Sequence, residues 1–232
     1  MAVVSKLNKI VFLCCYCISV NTFANMTSIE FSDGKSYELE YEKKLTDGYG
    51  LNVRYQNFEK KFTGRAGTKV CLVFCFTLPV EEKNLQIQSY SIFAKRDFNE
   101  VFDQYDIGNL SAGIGISYDH IEAKTAGGSA NSGVNTNFAK LLFNAEHKYP
   151  FFVFGKKYNI ETFFEYGFFN QSGADVKEWT LKTQLVHTIK EDTSISFGCK
   201  LRDIDINYDK DNEIIDLNGA DSSIFVGVKS IW

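Results

Sequence analysis

Tyr49-Gly50-Leu51-Asn52-Val53-Arg54-Tyr55-Gln56 alternates without a break: Tyr, Leu, Val and Tyr on one side, Gly, Asn, Arg and Gln on the other. A β-strand turns successive side chains to opposite faces, so this octet has one apolar and one polar face. The same period of two recurs down the chain. Ile160, Thr162, Phe164, Tyr166 and Phe168 oppose Asn159, Glu161, Phe163, Glu165 and Gly167. Trp179, Leu181, Thr183 and Leu185 oppose Glu178, Thr180, Lys182 and Gln184; Ile195, Phe197, Cys199 and Leu201 oppose Ser196, Gly198, Lys200 and Arg202. From residue 25 onward no segment carries a 3.6-residue apolar period or an apolar run long enough for a membrane helix. The chain reads as all-β.

The 232 residues are 44% hydrophobic, 15% aromatic and 23% charged, which describes one ordinary domain and not a disordered tail. A net charge of -4 gives no basic footprint, which argues against nucleic acid as a partner. The first 24 residues read as an export signal. Lys6 and Lys9 precede an uncharged apolar stretch at 10–20, and Thr22-Phe23-Ala24 offers a small-residue cleavage site. Cleavage after Ala24 would leave residues 25–232 as one domain with 23 basic and 29 acidic residues. Three cysteines would remain: Cys71, Cys75 and Cys199. Read within a single strand at 69–78, Cys71 and Cys75 lie about 13 Å apart, too far to bridge. A pairing of Cys199 with one of them stays open.

Alternation alone does not separate a soluble sandwich from a membrane barrel, but the make-up of the polar face does. Here Gly50, Gly113, Gly115, Gly167, Gly198 and Gly227 share that face with Ser111, Ser117 and Ser196. Small residues weaken a strand on a solvated surface, whereas in a narrow lumen they make room. Aromatics near strand ends (Tyr37, Tyr41, Tyr49, Tyr55, Tyr149, Tyr158, Trp232) suit the girdles of a membrane barrel.

The last strand, Ile224-Phe225-Val226-Gly227-Val228-Lys229-Ser230-Ile231-Trp232, resembles the C-terminal signature of bacterial outer-membrane proteins, with Trp where Phe is usual. Ile224, Val226, Val228 and Trp232 would then form the signal read by the barrel-assembly machinery. Tyr37-Glu38-Leu39-Glu40-Tyr41, the stretch 110–118 and the run 194–207 resemble small outer-membrane barrels of the OmpA, opacity-protein and YfaZ kinds. This resemblance implies an antiparallel up-and-down transmembrane barrel in the outer membrane, in contact with lipid and lipopolysaccharide.

Eleven candidate strands emerge: 27–32, 36–45, 48–58, 69–78, 84–95, 109–122, 137–149, 157–169, 177–188, 193–206 and 222–232. A bacterial barrel needs an even number. The expectation is ten, with eight as the alternative, and 27–32 and 84–95 are the weakest candidates. Longer polar loops are expected at 124–136, 170–176 and 207–221.

The polar faces gather Glu38, Glu40, Glu42, Glu161, Glu165 and Glu178 against Arg54, Lys182, Lys200, Arg202 and Lys229. Inside eight to ten strands such side chains can fill the lumen, and they must pair there. They form a structural plug or line a narrow path. Ser117, Asp119, His120 and Glu122 carry the residue types of a lipid-modifying hydrolase, yet Ser117 and Asp119 fall on one face and His120 and Glu122 on the other. The acidic segment 209–216 lacks the sixth-position glycine of a calcium loop. The expectation is a non-enzymatic barrel with no cofactor or metal and a structural or surface-interaction role. The alternatives are a narrow channel, a lipid-A-modifying enzyme, or a secreted sandwich or lipocalin-like binder.

Overall fold

The computed structural model describes residues 25–32, 36–46, 48–68, 70–71, 75–76, 81–99, 108–125, 134–171, 173–210 and 213–231. The stretch 1–24, expected as an export signal, and Trp232 lie outside them. The strands are β1 (Asn25–Ser32), β2 (Ser36–Thr46), β3 (Tyr49–Thr68), β4 (Val70–Cys71), β5 (Cys75–Phe76), β6 (Glu81–Asp97), β7 (Asn109–Thr125), β8 (Val134–Val153), β9 (Lys156–Gln171), β10 (Ala174–Lys190), β11 (Thr193–Lys210) and β12 (Glu213–Ile231). Ten of them close into an antiparallel barrel in the order β1-β12-β11-β10-β9-β8-β7-β6-β3-β2, and β4 and β5 form a separate two-stranded ribbon.

The count of ten therefore holds, but for a different reason. Both strands read as weakest, 27–32 and 84–95, are barrel staves, and the surplus candidate is 69–78. That segment folds back on itself, with Val70 opposite Phe76 and Cys71 opposite Cys75. The expected separation of the two cysteines along one strand is overturned.

One end of the barrel is tight. There β1 begins, β12 ends, β8–β9 and β10–β11 are joined by two-residue turns, and the one long link is the eleven-residue stretch 98–108 between β6 and β7. At the β8–β9 turn Phe154 (φ 49°) and Gly155 (φ 74°) both lie in the left-handed region. That is the turn geometry whose twist matches two antiparallel strands.

The other end is extended. The polar stretches at 170–176 and 207–221, expected as loops, are mostly strand: β9 runs to Gln171, β10 starts at Ala174, and only 211–212 separate β11 from β12. Their polarity misled the reading because the two faces exchange character along the strands. On β6 the outward residues are Tyr90 and Ile92, then Gln88 and Gln86, while the buried inward ones pass from Ser91 and Ser89 to Ile87 and Leu85. On β11 the outward face runs Ile195, Phe197, Cys199, Leu201 and then Asp203, Asp205, Asn207; the inward face runs Lys200 and Arg202, then Ile204 and Ile206. β7, β8, β10 and β12 do the same, at Tyr118/His120, Ala139/Asn137, Trp179/Lys177 and Ile224/Ser222.

The barrel is thus two stacked zones. The lower zone has an apolar exterior, with Ile116 57%, Phe143 44% and Phe197 58% exposed, around a polar interior. The upper zone is a collar built like a water-soluble protein. Phe58, Leu85, Ile87, Ile121, Ala123, Phe138, Val176, Ile204, Ile206, Ile215 and Leu217 form a core inside it, with Phe169, Ala174 and Tyr208 packed against them. At the collar, Gly64–Leu217 through Thr68–Glu213 pairing joins β3 directly to β12, above the short β1–β2 hairpin.

Candidate functional site: the barrel interior

Among the described residues, polar side chains are concentrated and shielded in the lumen of the lower zone. All eleven charges placed there from the alternation (Glu38, Glu40, Glu42, Glu161, Glu165, Glu178, Arg54, Lys182, Lys200, Arg202 and Lys229) lie on inward positions, and most are bridged in pairs across it. Arg54 on β3 reaches across to β9, where its Nη2 donates to both oxygens of Glu165 at 2.6 Å. Its guanidinium lies 5.0 Å from the Phe93 ring centre and 5.7 Å from that of Phe163. A planar, weakly hydrated cation suits that apolar sandwich better than an ammonium would.

Around this crossbar the remaining groups form knots. Lys182 donates to Glu30 and lies 3.6 Å from Glu38, and Lys200 donates to Glu38 at 2.8 Å. Towards the tight end, Lys95 bridges Glu42 (3.3 Å) and Glu146 (3.2 Å), Lys148 reaches Glu146 at 3.1 Å, and Lys229 lies 3.7 Å from Glu161. Glu40 accepts from Asn52 and from Ser28. Towards the collar, Lys140 sits between Asp119 at 2.6 Å and Glu178 at 2.5 Å, and Arg202 Nε donates to Glu178 at 2.5 Å. Arg202 also lies 4.3 Å from the Phe58 ring centre, which joins the charged network to the collar core.

Six members of the network were not in the sequence-derived set: Glu30, Lys95, Asp119, Lys140, Glu146 and Lys148. Glu30 and Lys95 sit on the two strands that looked weakest. The others were legible, because Leu141, Phe143 and Ala145 face out and so place 140 and 146 inside.

Among the described residues, a wide, open cavity of about 510 Å³ lies at the collar end between Gln171, Asp175, Tyr208 and Ile215, while small cavities of about 40 and 20 Å³, room for at most a few waters, lie between these charges. Charged side chains in so small a volume neutralise one another, since an unpaired buried ion costs several kcal/mol. What this arrangement does chemically is tie opposite walls of the barrel together through paired charges.

The other sequence candidates separate. Ser117 and Asp119 face inward, whereas His120 faces out, its Nδ1 2.8 Å from Asn137 Oδ1. The acidic stretch 209–216 spans the β11–β12 junction, and among the described residues no group of His, Cys, Asp or Glu has a metal-holding arrangement. Ile224, Val226 and Val228 lie exposed on the outward face of β12.

No protein-family model matches the chain, and no curated protein does. Among solved structures it is similar to the transport unit of the autotransporter AIDA-I from Escherichia coli, at 10% identity and a TM-score of 0.40, covering 89% of this chain and 88% of that one. It is also similar to CarO2 of Acinetobacter baumannii, at 9% identity and a TM-score of 0.34, covering 92% of this chain and 100% of that one. A third likeness is to OmpT of Vibrio cholerae, at 12% identity and a TM-score of 0.31, covering 85% of this chain. The chain spans 56% of that OmpT. At these values the likeness is one of barrel shape, and the fold rests on the strand pairing above.

Proposed function

We propose that this chain is an outer-membrane barrel of the bacterial envelope with a plugged lumen, no enzymatic activity, and a structural or surface-interaction role. The observation that carries the reading is the exchange of faces along the strands. A lipocalin-like or sandwich protein in water keeps apolar residues inside along its whole length. Here that holds only in the collar. A belt of Ile, Leu, Phe and Tyr around the lower zone far exceeds the few hundred Å² of apolar patch that soluble proteins expose. On β10 the outward run from Trp179 to Ile189 covers about 33 Å of strand, or about 25 Å of height at the usual tilt, the band of an outer-membrane barrel.

The rims support the same reading. Tyr37, Tyr55 and Tyr90 lie side by side below the collar, their tilted rings 5.8 and 4.9 Å apart. At the tight end Phe151, Tyr158 and His187 stack at 5.7 and 4.7 Å. In bacterial barrels the first strand begins and the last strand ends on the periplasmic side, so the tight end faces the periplasm and the collar stands above the outer leaflet. Lipid and lipopolysaccharide are its surroundings. Ile224, Val226, Val228 and Trp232 serve as the assembly signal, in keeping with the resemblance to OmpA, opacity and YfaZ barrels. Ten strands exceed the eight of OmpA-type barrels.

Two barriers in series oppose conduction: the ion-paired knots below and the apolar collar core above. The test is heat-modifiable gel migration of protein extracted from an outer-membrane fraction, followed by planar-bilayer recording. The expected outcome is a mass shift on boiling and no single-channel current. Steady conductance would favour the narrow channel instead. A soluble protein without a shift would overturn the membrane reading.

A further inference from the structure

The β4–β5 ribbon is too short to hold itself. It contains two residue pairs, and even a full two-stranded hairpin is marginal in water. Yet it joins β3 to β6 at the collar end, where the proposed orientation exposes it to the outside. One of its two pairs is Cys71 opposite Cys75.

That register sets the distance between them. Residues directly opposed in an antiparallel ladder have Cα atoms about 4.5 Å apart at a non-hydrogen-bonded pair and about 5.5 Å at a hydrogen-bonded one. Both values fall within the roughly 4.4–6.8 Å that a disulfide spans. Opposed positions also share a face of the ribbon. The third cysteine beyond the export signal is no competitor. Cys199 is exposed in the apolar belt, opposite Ile224 of β12, while the ribbon follows Thr68, which is opposite Glu213 of β12. Eleven residues of β12 separate those two levels, about 36 Å at the strand rise.

We propose that Cys71 and Cys75 form an intramolecular disulfide that staples the outer ribbon. The inference rests on the outer-membrane reading, because the envelope outside the inner membrane is oxidising. In the reaction one cysteine, as thiolate, attacks a disulfide of an envelope thiol–disulfide oxidant and displaces one of its sulfurs. The second thiolate then attacks the mixed disulfide. One S–S bond forms between Cys71 and Cys75, the two cysteines lose their protons and two electrons, and the oxidant leaves as a dithiol.

The experiment uses the full chain from the membrane fraction, blocked with iodoacetamide under denaturing conditions before any reduction. Trypsin cuts after Lys69 and Lys83, so both cysteines fall on one peptide, 70–83, apart from Cys199. The expected peptide is unalkylated, about 2 Da below its dithiol mass for the two hydrogens lost, and takes two alkyl groups only after reduction. Cys199 is alkylated from the start and serves as the internal control. In Cys71→Ser, Cys75 becomes alkylatable without reduction. A membrane-derived, heat-modifiable protein whose 70–83 peptide carries two alkyl groups before reduction overturns the disulfide and leaves the barrel reading intact. A soluble, unshifted protein overturns the barrel reading, and the same peptide mass still decides the disulfide.

Discussion

An arginine moved along the outward face of β11 should meet a cost that collapses over a few residues. That face reads Ile195, Phe197, Cys199, Leu201, Asp203, Asp205 and Asn207. From Phe197 to Asp203 is six residues, about 20 Å of strand and about 15 Å of height at the common tilt. That is half of a roughly 30 Å hydrocarbon core. Phe197→Arg, referenced to Phe197→Ala to remove the lost ring contacts, should destabilise by about 2–4 kcal/mol, the cost of a cation near the bilayer midplane. Leu201→Arg, close to the interface, should cost about 0–1 kcal/mol. Asn207→Arg, in the collar, should fall within about 0.5 kcal/mol of wild type. The assay is reversible guanidinium unfolding in phospholipid vesicles, followed by the fluorescence of Trp179, which sits at the rim with its Nε1 3.0 Å from Asp203. A flat profile, or a cheap arginine at 197, would refute the membrane belt and with it the proposed placement.

Glu165→Gln strands the Arg54 guanidinium in the lumen and should cost about 3–5 kcal/mol, whereas replacing both partners by apolar residues of similar volume should cost far less; the same unfolding assay compares them. Neither variant should conduct in a planar bilayer, because the collar core still closes the upper end. Leu85→Ala removes a fully buried collar side chain and should cost about 2–5 kcal/mol, seen as faster proteolysis of the collar in sealed vesicles while the boiling shift persists. Gly115→Ala should destabilise by about 1–3 kcal/mol despite its better strand propensity, since the new Cβ would collide with the Ile92 backbone carbonyl oxygen and lie 2.7 Å from the Phe93 ring; equilibrium unfolding reads the sign.

Where one environment holds along a strand, two-residue alternation sufficed: the faces of 49–56, 159–168 and 195–202 are as the pattern implies. The sequence misled where a strand crosses from lipid to water. Between Ile87 and Tyr90 the apolar residues change parity without any change in strand, because inward replaces outward as the dry side. That slip made a central stave look like a weak candidate, and it hid Lys95. The same crossing made Asn207 and Asp209 read as the start of a loop when, with Asp203 and Asp205, they are the wet face of β11. The opposite error fell on 69–78, whose apolar run looked like a stave but turns back after Cys71. Local pattern reports which residues avoid water, and carries no information on which strand lies alongside. The lumen charges were therefore legible as a group, while their partners, such as Arg54 with Glu165, depend on ring closure.

That closure is concentrated in one strand. β12 seals the wall twice, against β1 through Met26–Ile231 to Ser32–Phe225 and against β3 through Gly64–Leu217 to Thr68–Glu213. Until its nineteen residues arrive, the chain is an open sheet with free edges on β1, on the upper part of β3 and on β11. The other staves can form hairpins with their neighbours without it, but neither the belt nor the collar can become a tube until β12 has paired on both sides. Loss of part of β12 leaves a sticky ribbon in place of a smaller barrel, so the pairing of this one strand on both its sides is the step that commits the chain to the folded state.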